Sequence, residues 1–268
     1  MHSRIIAPTE FVSGLGRVFI KLLADLGGQT LFCLDAFRLL FSSLGQVPKT
    51  IRQIYFIGVQ SVSLIALIGL FTGMVMGMQL YFALSIFGAD GFLGSGVALS
   101  MVRELAPVLT AIMITGRAGS AMTAEIGVMR ISEQVDALEI MGINPMAYLV
   151  SPRMGASIIS FPILTTFFNL IALFGGWITG VKLLGANEGT YLYRIQQSLD
   201  IDDITGGLLK ALTFAVIVCT VCCYQGYYTH LRQDSVGPEG VSQSTTQAVV
   251  MCSVLILMAD YVLTSLLW

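Results

Sequence analysis

Charge is what this sequence has least of. Only 11% of its 268 residues are Asp, Glu, Lys or Arg, whereas 55% are hydrophobic. A soluble domain ordinarily carries about 25% charged residues, and a surface facing water cannot be built from so few. The charges are also gathered between long uncharged runs, as expected where lipid is the solvent. The sequence therefore predicts an all-α integral membrane protein.

The residue patterns of an enzyme are missing as well. The chain has two histidines, His2 and His230, and contains no HExxH, GxSxG or GxxxxGK[ST] pattern. Without a phosphate-cradling loop it is expected to bind no ATP, so any ATP and Mg must sit on a partner. A net charge of -2 indicates no nucleic-acid partner. We predict no catalytic residue, no metal site and no cofactor in this chain.

Cysteines are few and do not suggest a disulfide framework. Four of the five, Cys219, Cys222, Cys223 and Cys252, fall inside apolar runs, where they are expected to be small buried hydrophobic residues. The CxxC formed by Cys219 and Cys222 has no His or acidic neighbour, so a redox role is the weaker interpretation. No cleavable signal peptide is recognisable, and targeting is expected to come from the first span.

Five segments are apolar and long enough to cross a bilayer, which needs about 20 residues. The predicted transmembrane helices are 54–82, 97–124, 154–181, 211–228 and 245–267. Residues 1–52 are predicted to lie at the interface, because apolar residues from Leu15 to Leu26 follow the spacing of an amphipathic helix. The short stretch 31–41 contains Asp35 and Arg38 and is expected to continue that surface region; whether residues 31–46 enter the bilayer stays open.

The distribution of basic residues predicts an orientation. Nine lie in segments on the side of the N-terminus and three, Lys182, Arg194 and Lys210, in the segment 182–210 on the opposite side. The positive-inside rule then puts the N-terminus in the cytoplasm and the C-terminus on the outer face.

Two features inside the spans stand out. Gly69, Gly73 and Gly77 recur at every fourth position and give the first span a smooth face for close helix packing. Arg103 and Glu104 lie near the outer end of the second span, where each charge costs about 2.5 to 3.5 kcal/mol on insertion scales. They either reach the interface or pair with neighbours, or they form a polar point in a binding cavity. The other two charges within the spans, Arg117 and Asp260, are expected to snorkel to the interface.

Between the second and third spans, residues 130–145 predict a short helix outside the membrane, with Ser132 as N-cap and Gly142 as its stop. This helix is either a docking element or a solvated connector. It has an apolar ridge of Ile131, Val135 and Leu138 and an acidic stripe of Glu133, Asp136 and Glu139.

One long block closely resembles a known family. Residues 103–153, RELAPVLTAIMITGRAGSAMTAEIGVMRISEQVDALEIMGINPMAYLVSPR, are similar to the signature block of MlaE-type permeases, and GPEGVSQSTTQAVV at 237–250 resembles the start of that family's last helix. The departures are Ala106 and Ser242, where the family usually has glycine, and Gln243 and Gln247, at positions that are commonly basic.

The resemblance implies the membrane permease subunit of an ABC transporter, without an ATPase site of its own. Such systems move phospholipids between the inner and outer membranes and maintain outer-membrane lipid asymmetry. The implied assembly is a homodimer in the cell inner membrane, with cytoplasmic ABC ATPases, a hexamer of MCE-domain subunits and a STAS-domain protein. The family's coupling helix matches Ser132 to Met141, so the resemblance assigns ATPase coupling to Glu133, Val135, Asp136, Leu138 and Glu139.

We expect the paired permeases to enclose a phospholipid cavity that opens to the outer face. Its apolar wall is predicted at Met74, Met78, Phe82 and Leu105, with Arg103 and Glu104 at the polar rim. In a homodimer the glycine face marks either the seam between copies or a contact within one chain. Two other functions remain as alternatives: a self-contained secondary transporter, although no inverted repeat is recognisable, and a membrane scaffold.

Overall fold

The computed structural model describes residues 27–39, 47–229 and 237–267. Most of these residues are helical and none of them forms a strand, which confirms the all-α prediction. The amphipathic helix predicted between Leu15 and Leu26 lies outside the described residues. In chain order the α-helices are α1 (27–39), α2 (Val47–Ile57), α3 (Val62–Ser85), α4 (Leu93–Ser100), α5 (Ala106–Ile114), α6 (Ser120–Ile131), α7 (Gln134–Ile140), α8 (Ser151–Trp177), α9 (Glu188–Ser198), α10 (Ile201–Tyr227) and α11 (Pro238–Leu267).

Five helical segments are long and apolar enough to cross a membrane: Val47–Ser85, Asp90–Ile131, Met146–Leu183, Ile201–Tyr227 and Pro238–Leu267. The count of five confirms the prediction, but every span begins earlier than the apolar pattern indicated. The fourth begins at Ile201, with Asp202 and Asp203 in its first turn, where carboxylates interact favourably with the helix dipole. Lys210, which the sequence placed in a connecting segment, therefore lies inside α10, and that placement was wrong.

The first three spans are interrupted by irregular turns. The first is broken at Gly58 by a 3₁₀ turn, Val59–Ser61, which separates α2 from α3. The second contains two π turns, Met101–Leu105 and Thr115–Gly119, and the third begins and ends with one. A π turn inserts one extra residue into the helix and is frequent at functional sites. Two of the three arginines of the second span, Arg103 and Arg117, lie in its π turns.

The glycine face of α3 packs against α8 of the same chain, so the intrachain alternative is correct for this face. A Cβ on Gly73 would lie only 1.9 Å from the carbonyl oxygen of Ala172, and one on Gly77 would lie 2.9 Å from the Cα of Gly176. At this crossing the two helices meet backbone to backbone, which only small residues allow.

The centre of the bundle is α10, which packs against α5, α6, α8 and α11. Cys219, Cys222, Cys223 and Cys252 are free and buried there, as predicted. On the outside of the bundle, α3 and α11 each leave an apolar stripe exposed, which suits contact with lipid chains. The exposed residues are Leu67, Phe71, Val75, Met78 and Phe82 on α3 and Val250, Val254, Leu257, Met258 and Tyr261 on α11.

The two ends of the bundle carry different short helices. At one end, α9 is anchored by Tyr191, whose hydroxyl donates to the carbonyl of Leu173 at 3.0 Å and whose burial raises the pKa of the phenol. At the opposite end lie α1 and α7. Phe32 of α1 packs against Tyr224, Tyr227 and Tyr228 of the fourth span and the turn after it, so α1 is held against the bundle.

Close packing of α3 on α8 predicts a sharp stability effect at Gly73. Gly73→Ala should force the helices apart and lower the free energy of unfolding by about 1 to 3 kcal/mol, because the facing backbone cannot move away to make room for the added methyl group. Gly73→Leu should lower it by more. Thermal unfolding of the purified protein in detergent measures this. The matched control is Gly116→Ala, since a Cβ on Gly116 meets no atom within 4 Å. Equal unfolding temperatures for both variants would contradict the close contact.

Candidate functional site

A cluster of charged side chains lies within the second, fourth and fifth spans. Its starting point is Pro107 in the first turn of α5. Proline has no N–H, so the carbonyl of Arg103, four residues earlier, loses its α-helical partner. That carbonyl accepts instead from the Lys210 Nζ at 2.9 Å. The π turn that carries Arg103 and Glu104 is thus completed by a side chain from α10.

Lys210 is fully buried and joins three spans through its ammonium group. Its Nζ lies 2.7 Å from the Glu104 Oε2, 2.7 Å from the Thr264 Oγ1 and 3.0 Å from the Asp260 Oδ1. The Thr264 hydroxyl also lies 3.1 Å from the Glu104 Oε1. Asp260 therefore pairs with a buried cation, and the prediction that it snorkels to the interface was wrong.

Arg103 is held from the other side by the start of α10. Its Nε donates to the Asp203 Oδ1 at 2.7 Å. Asp203 is 2% exposed, and its Oδ2 accepts from the backbone N–H of Asp200 at 3.1 Å. One carboxylate thus both caps α10 and orients the arginine. The side chains of Arg103 and Glu104 remain 36% and 37% exposed, so the cluster presents one polar face outside the packed core.

This arrangement can do two things chemically. Its inner part, around Lys210, ties the spans together, because an unpaired charge there would be costly. Its open part offers a guanidinium, the group that binds phosphate with strong charge-assisted hydrogen bonds. Of the alternatives that the sequence left open, the structure shows pairing with neighbours; a polar point in a binding cavity stays a prediction.

The predicted apolar wall lies mainly on a different helix. Met78 and Phe82 are exposed on α3 at 47% and 52%, and Met74 is half-buried one turn earlier. Leu105 packs against the core. The ion pairs of Arg103 and Glu104 lead to α10 and α11 instead. A cavity joining all six residues would require a second copy, and it stays a prediction.

Sequence reasoning missed the partners of Arg103 and Glu104. Lys210 was treated as the edge of a span because it is charged, and Asp203 as part of a connection. The signal was present in the sequence: a glutamate in one span, a lysine flanked by apolar residues and an aspartate in the last span can neutralise one another. Among the described residues no group of three or more His, Cys, Asp or Glu side chains is placed to hold a metal ion.

The second candidate region is the connection around α7. Its stop at Gly142 is confirmed by a left-handed φ of +74° and by the bond from the Ile143 N–H to the Leu138 carbonyl at 2.9 Å. Its N-cap differs from the prediction. Ser132 ends α6, its hydroxyl donating to the Val128 carbonyl at 2.7 Å, and Glu133 occupies the N-cap position with φ at +58°.

The faces of α7 are oriented differently from the prediction. Val135 is 0% exposed and packs with Ile126, Leu149 and Val150, and Leu138 packs on the same cluster. Val135 is therefore not exposed to a partner, whereas Leu138 is only half-buried; the coupling role of both residues stays a prediction. The strongly exposed apolar residues are Ile140, at 88%, and Met141, at 70%.

Two residues of the acidic stripe form bonds with other side chains of the same chain. The Arg130 Nη1 lies 2.7 Å from the Asp136 Oδ1, and the Tyr227 hydroxyl donates to the Glu139 Oε1 at 3.4 Å. Glu133 is exposed at the turn that begins α7.

In the chain, α7 lies between α6 of the second span and α8 of the third, and an ion pair joins these two helices. Arg153, 4% exposed, lies on α8, and its Nη2 is 2.7 Å from the Glu125 Oε2 on α6. Its Nη1 donates to the Leu149 carbonyl at 2.5 Å. α6 and the first turn of α8 are therefore joined by an ion pair close to α7.

Removing the buried ammonium should destabilise the bundle strongly. Lys210→Met leaves Glu104 and Asp260 facing each other without a cation, and we expect a loss of about 3 to 5 kcal/mol in the free energy of unfolding. Lys182→Met is the control, since its exposed pair with Glu188 spans 3.5 Å and should contribute less than about 1 kcal/mol.

The triple variant Lys210→Met, Glu104→Gln, Asp260→Asn should recover much of that stability, because no uncompensated charge remains. Unfolding in detergent, followed by thermal shift, measures all three proteins. A wild-type unfolding temperature for Lys210→Met alone would show that the cluster does not hold the spans together.

Comparison with known proteins agrees with the architecture. The profile of the family described as Permease MlaE matches residues 50–266. The chain is 39% identical to the intermembrane phospholipid transport system permease protein MlaE of Haemophilus influenzae, over 97% of this chain and 98% of that protein. It is 37% identical to a probable ABC transporter permease protein of Rickettsia bellii over 96% and 97% of the two chains. It is 33% identical to the TRIGALACTOSYLDIACYLGLYCEROL 1 protein of Arabidopsis thaliana, over 81% of this chain and 61% of that protein. The five-span bundle and these matches establish that the chain belongs to the MlaE permease family.

Proposed function

We propose that this chain is the permease subunit of an ABC transporter that moves phospholipids between the inner and outer membranes and so maintains outer-membrane lipid asymmetry. The observation that carries the proposal is the charged cluster with one open face in an otherwise apolar bundle. A phospholipid needs both an apolar surface for its chains and a cation for its phosphate. The Haemophilus influenzae relative is named for intermembrane phospholipid transport, which supports that class of substrate.

We assign binding of the lipid phosphate to Arg103, which pairs with Asp203 yet is still partly exposed. Its guanidinium binds the lipid phosphate, while Glu104 and Lys210 keep the π turn in place. Met74, Met78, Phe82 and Leu105 supply apolar surface for the chains when two copies face each other across the cavity. A homodimer is part of this proposal, since a single α3 stripe covers only one side of a lipid.

The orientation follows from the basic residues. The N-terminus and α7 lie in the cytoplasm, and α9 and the C-terminus lie on the periplasmic side of the inner membrane. Cytoplasmic ABC ATPases hold ATP and Mg and dock beside α7, with a STAS-domain protein next to them. A hexamer of MCE-domain subunits receives lipid at the end that carries α9.

Coupling to the ATPase is assigned to the exposed end of α7. Ile140 and Met141 are the apolar anchors, and Glu133 flanks them at the other end of the helix. Val135 and Leu138 act from inside, by fixing α7 to the bundle. Because the ion pair of Arg153 and Glu125 joins α6 to α8, a displacement of α7 by the ATPase moves the second and third spans together.

The substrate role predicts a specific effect of removing the charge at residue 103. Arg103→Gln should reduce phospholipid-stimulated ATP hydrolysis in the reconstituted complex by about tenfold or more, because a charge-assisted hydrogen bond contributes about 1.5 to 3 kcal/mol. Arg194→Gln removes a cation of α9 that stacks on Phe92, the residue before α4, and it should leave hydrolysis unchanged. A complex that transports phospholipid at the wild-type rate with Arg103→Gln would contradict the assignment. A secondary transporter would move lipid without any ATPase, and a scaffold would not move it at all.

The docking role predicts loss of the ATPase from the purified complex when the anchors become acidic. Ile140→Asp with Met141→Asp should lower ATPase co-purification by about tenfold, because burial of each apolar side chain contributes about 1.5 to 3 kcal/mol before ordering costs. The matched control is Leu183→Asp, an equally exposed apolar residue at the opposite end of the bundle. Full recovery of the ATPase with the double variant would move docking to another segment.

A further inference from the structure

Arg117 is the second arginine of the second span and lies in that span's second π turn. It follows Arg103 by 14 positions, which is about 21 Å along a helix. The hydrocarbon core of a bilayer is about 30 Å thick, so the two arginines lie toward opposite ends of the membrane. Core residues Ile114 and Ala118 flank Arg117 in sequence, so its backbone is part of the packed bundle.

The guanidinium of Arg117 reaches the break in the first span. Its Nη1 donates to the Phe56 carbonyl at 2.7 Å and to the Ser61 Oγ at 2.8 Å, and its Nη2 donates to the Gln60 Oε1 at 2.5 Å. These contacts use three of the five N–H groups of an arginine. Arg117 therefore does not snorkel away from the bundle as the sequence suggested; it is fixed at the point where α2 ends and α3 begins.

All three acceptors are neutral oxygens. The Phe56 ring also lies 5.2 Å from the Arg117 Cζ. Among the described residues no carboxylate pairs with Arg117, in a region where an unneutralised ion is expensive. A neutral glutamine amide would cap the same oxygens without that cost. The charge of Arg117 is therefore available to an anion from outside the chain.

A second copy of the chain is a poor source for that anion. In a symmetric pair with its axis along the membrane normal, each residue stays at its own depth. Four carboxylates within the described spans pair with a basic residue of the same chain: Glu104 and Asp260 with Lys210, Glu125 with Arg153, and Asp203 with Arg103. The remaining acidic residues of the described spans are at the first or second position of their helices: Asp90, Asp202 and Glu239.

The guanidinium opens toward the surface of the bundle. Gln60 is exposed, and so is Gly116, the residue before Arg117. A Cβ on Gly116 would meet no atom within 4 Å. A polar, positively charged patch with free space beside it, set among apolar helices, has room for a ligand group of the size of a phosphate.

We propose that Arg117, with Gln60 and Ser61, forms a second phosphate-binding site for phospholipid, at the depth of the break in the first span. The identity of the ligand rests on the function proposed above. The two N–H groups of Arg117 that no described residue accepts from bind two phosphate oxygens, and the amide of Gln60 lies beside them. The second span then carries two phosphate sites, one toward each end of the membrane, and a lipid is bound at either depth.

The test compares charge with hydrogen-bonding capacity at residue 117. A diazirine amino acid in place of Gly116 reports capture at the new site, and the same amino acid in place of Leu105 reports capture beside Arg103. The protein is reconstituted with its ATPase in vesicles of phosphatidylethanolamine and phosphatidylglycerol, irradiated, and analysed for attached lipid by mass spectrometry. Wild-type protein, Arg117→Lys and Arg117→Gln are compared, with thermal unfolding as a measure of the fold.

We expect lipid at residue 116 in the wild type, capture within about threefold of it in Arg117→Lys, and a loss of about tenfold or more in Arg117→Gln, because the interaction requires the charge. Capture at residue 105 should be equal in all three. Equal capture at residue 116 in the glutamine variant, with an unchanged unfolding temperature, would overturn the site and make Arg117 only a cap for the break.

The remaining outcomes are also decisive. Attachment to a second copy of the chain at residue 116, without lipid, would overturn the lipid site and assign this patch to a protein interface. Lipid at residue 105 but none at residue 116 would reject the second site and leave the proposed function standing. Lipid at neither position would reject both.

Discussion

The ammonium of Lys210 is the interaction on which the arrangement of the spans depends. It lies where the second, fourth and fifth spans meet. Lys210 itself belongs to the fourth span, and the oxygens around it come from Arg103 and Glu104 of the second span and from Asp260 and Thr264 of the fifth. Hydrocarbon offers no substitute for these partners, so the three helices can separate only by exposing charge. The position of Arg103, and with it the open polar face of the cluster, follows from this contact.

The same constraint explains how the helices can be irregular. A break in a helix frees backbone carbonyls, and within a membrane those carbonyls must find donors in the protein. In three places the donor is a basic side chain: Lys210 for Arg103, Arg117 for Phe56, and Arg153 for Leu149. Two of these donors come from another span, so the irregular turns of one helix are fixed by the packing of the next. Irregularity and tertiary structure are therefore specified together.

The sequence was sufficient for the number of spans and for several local features, but not for the N-cap of α7 or the first residue of each span. The spacing and types of residues were enough to predict five spans, buried cysteines, a close-packing glycine face and a helix stop at Gly142. Charged residues near helix ends were harder to interpret, because a lysine can mark the edge of a span or neutralise a carboxylate inside it, and only the three-dimensional neighbours of Lys210 decide between the two. The orientation of α7 failed for a related reason: its apolar ridge predicted burial correctly, but the helical pattern cannot say whether Val135 is buried against its own chain or against a partner.

The contact of Gly73 with Ala172 has a consequence for how the protein responds to the bilayer itself. Two helices that touch along their backbones have no side chains between them to repack, so the first and third spans tilt as one unit. Membranes of different thickness impose a hydrophobic mismatch that a span ordinarily relieves by tilting on its own. Here that adjustment is shared by the pair, so a change in bilayer thickness reorients the first and third spans together.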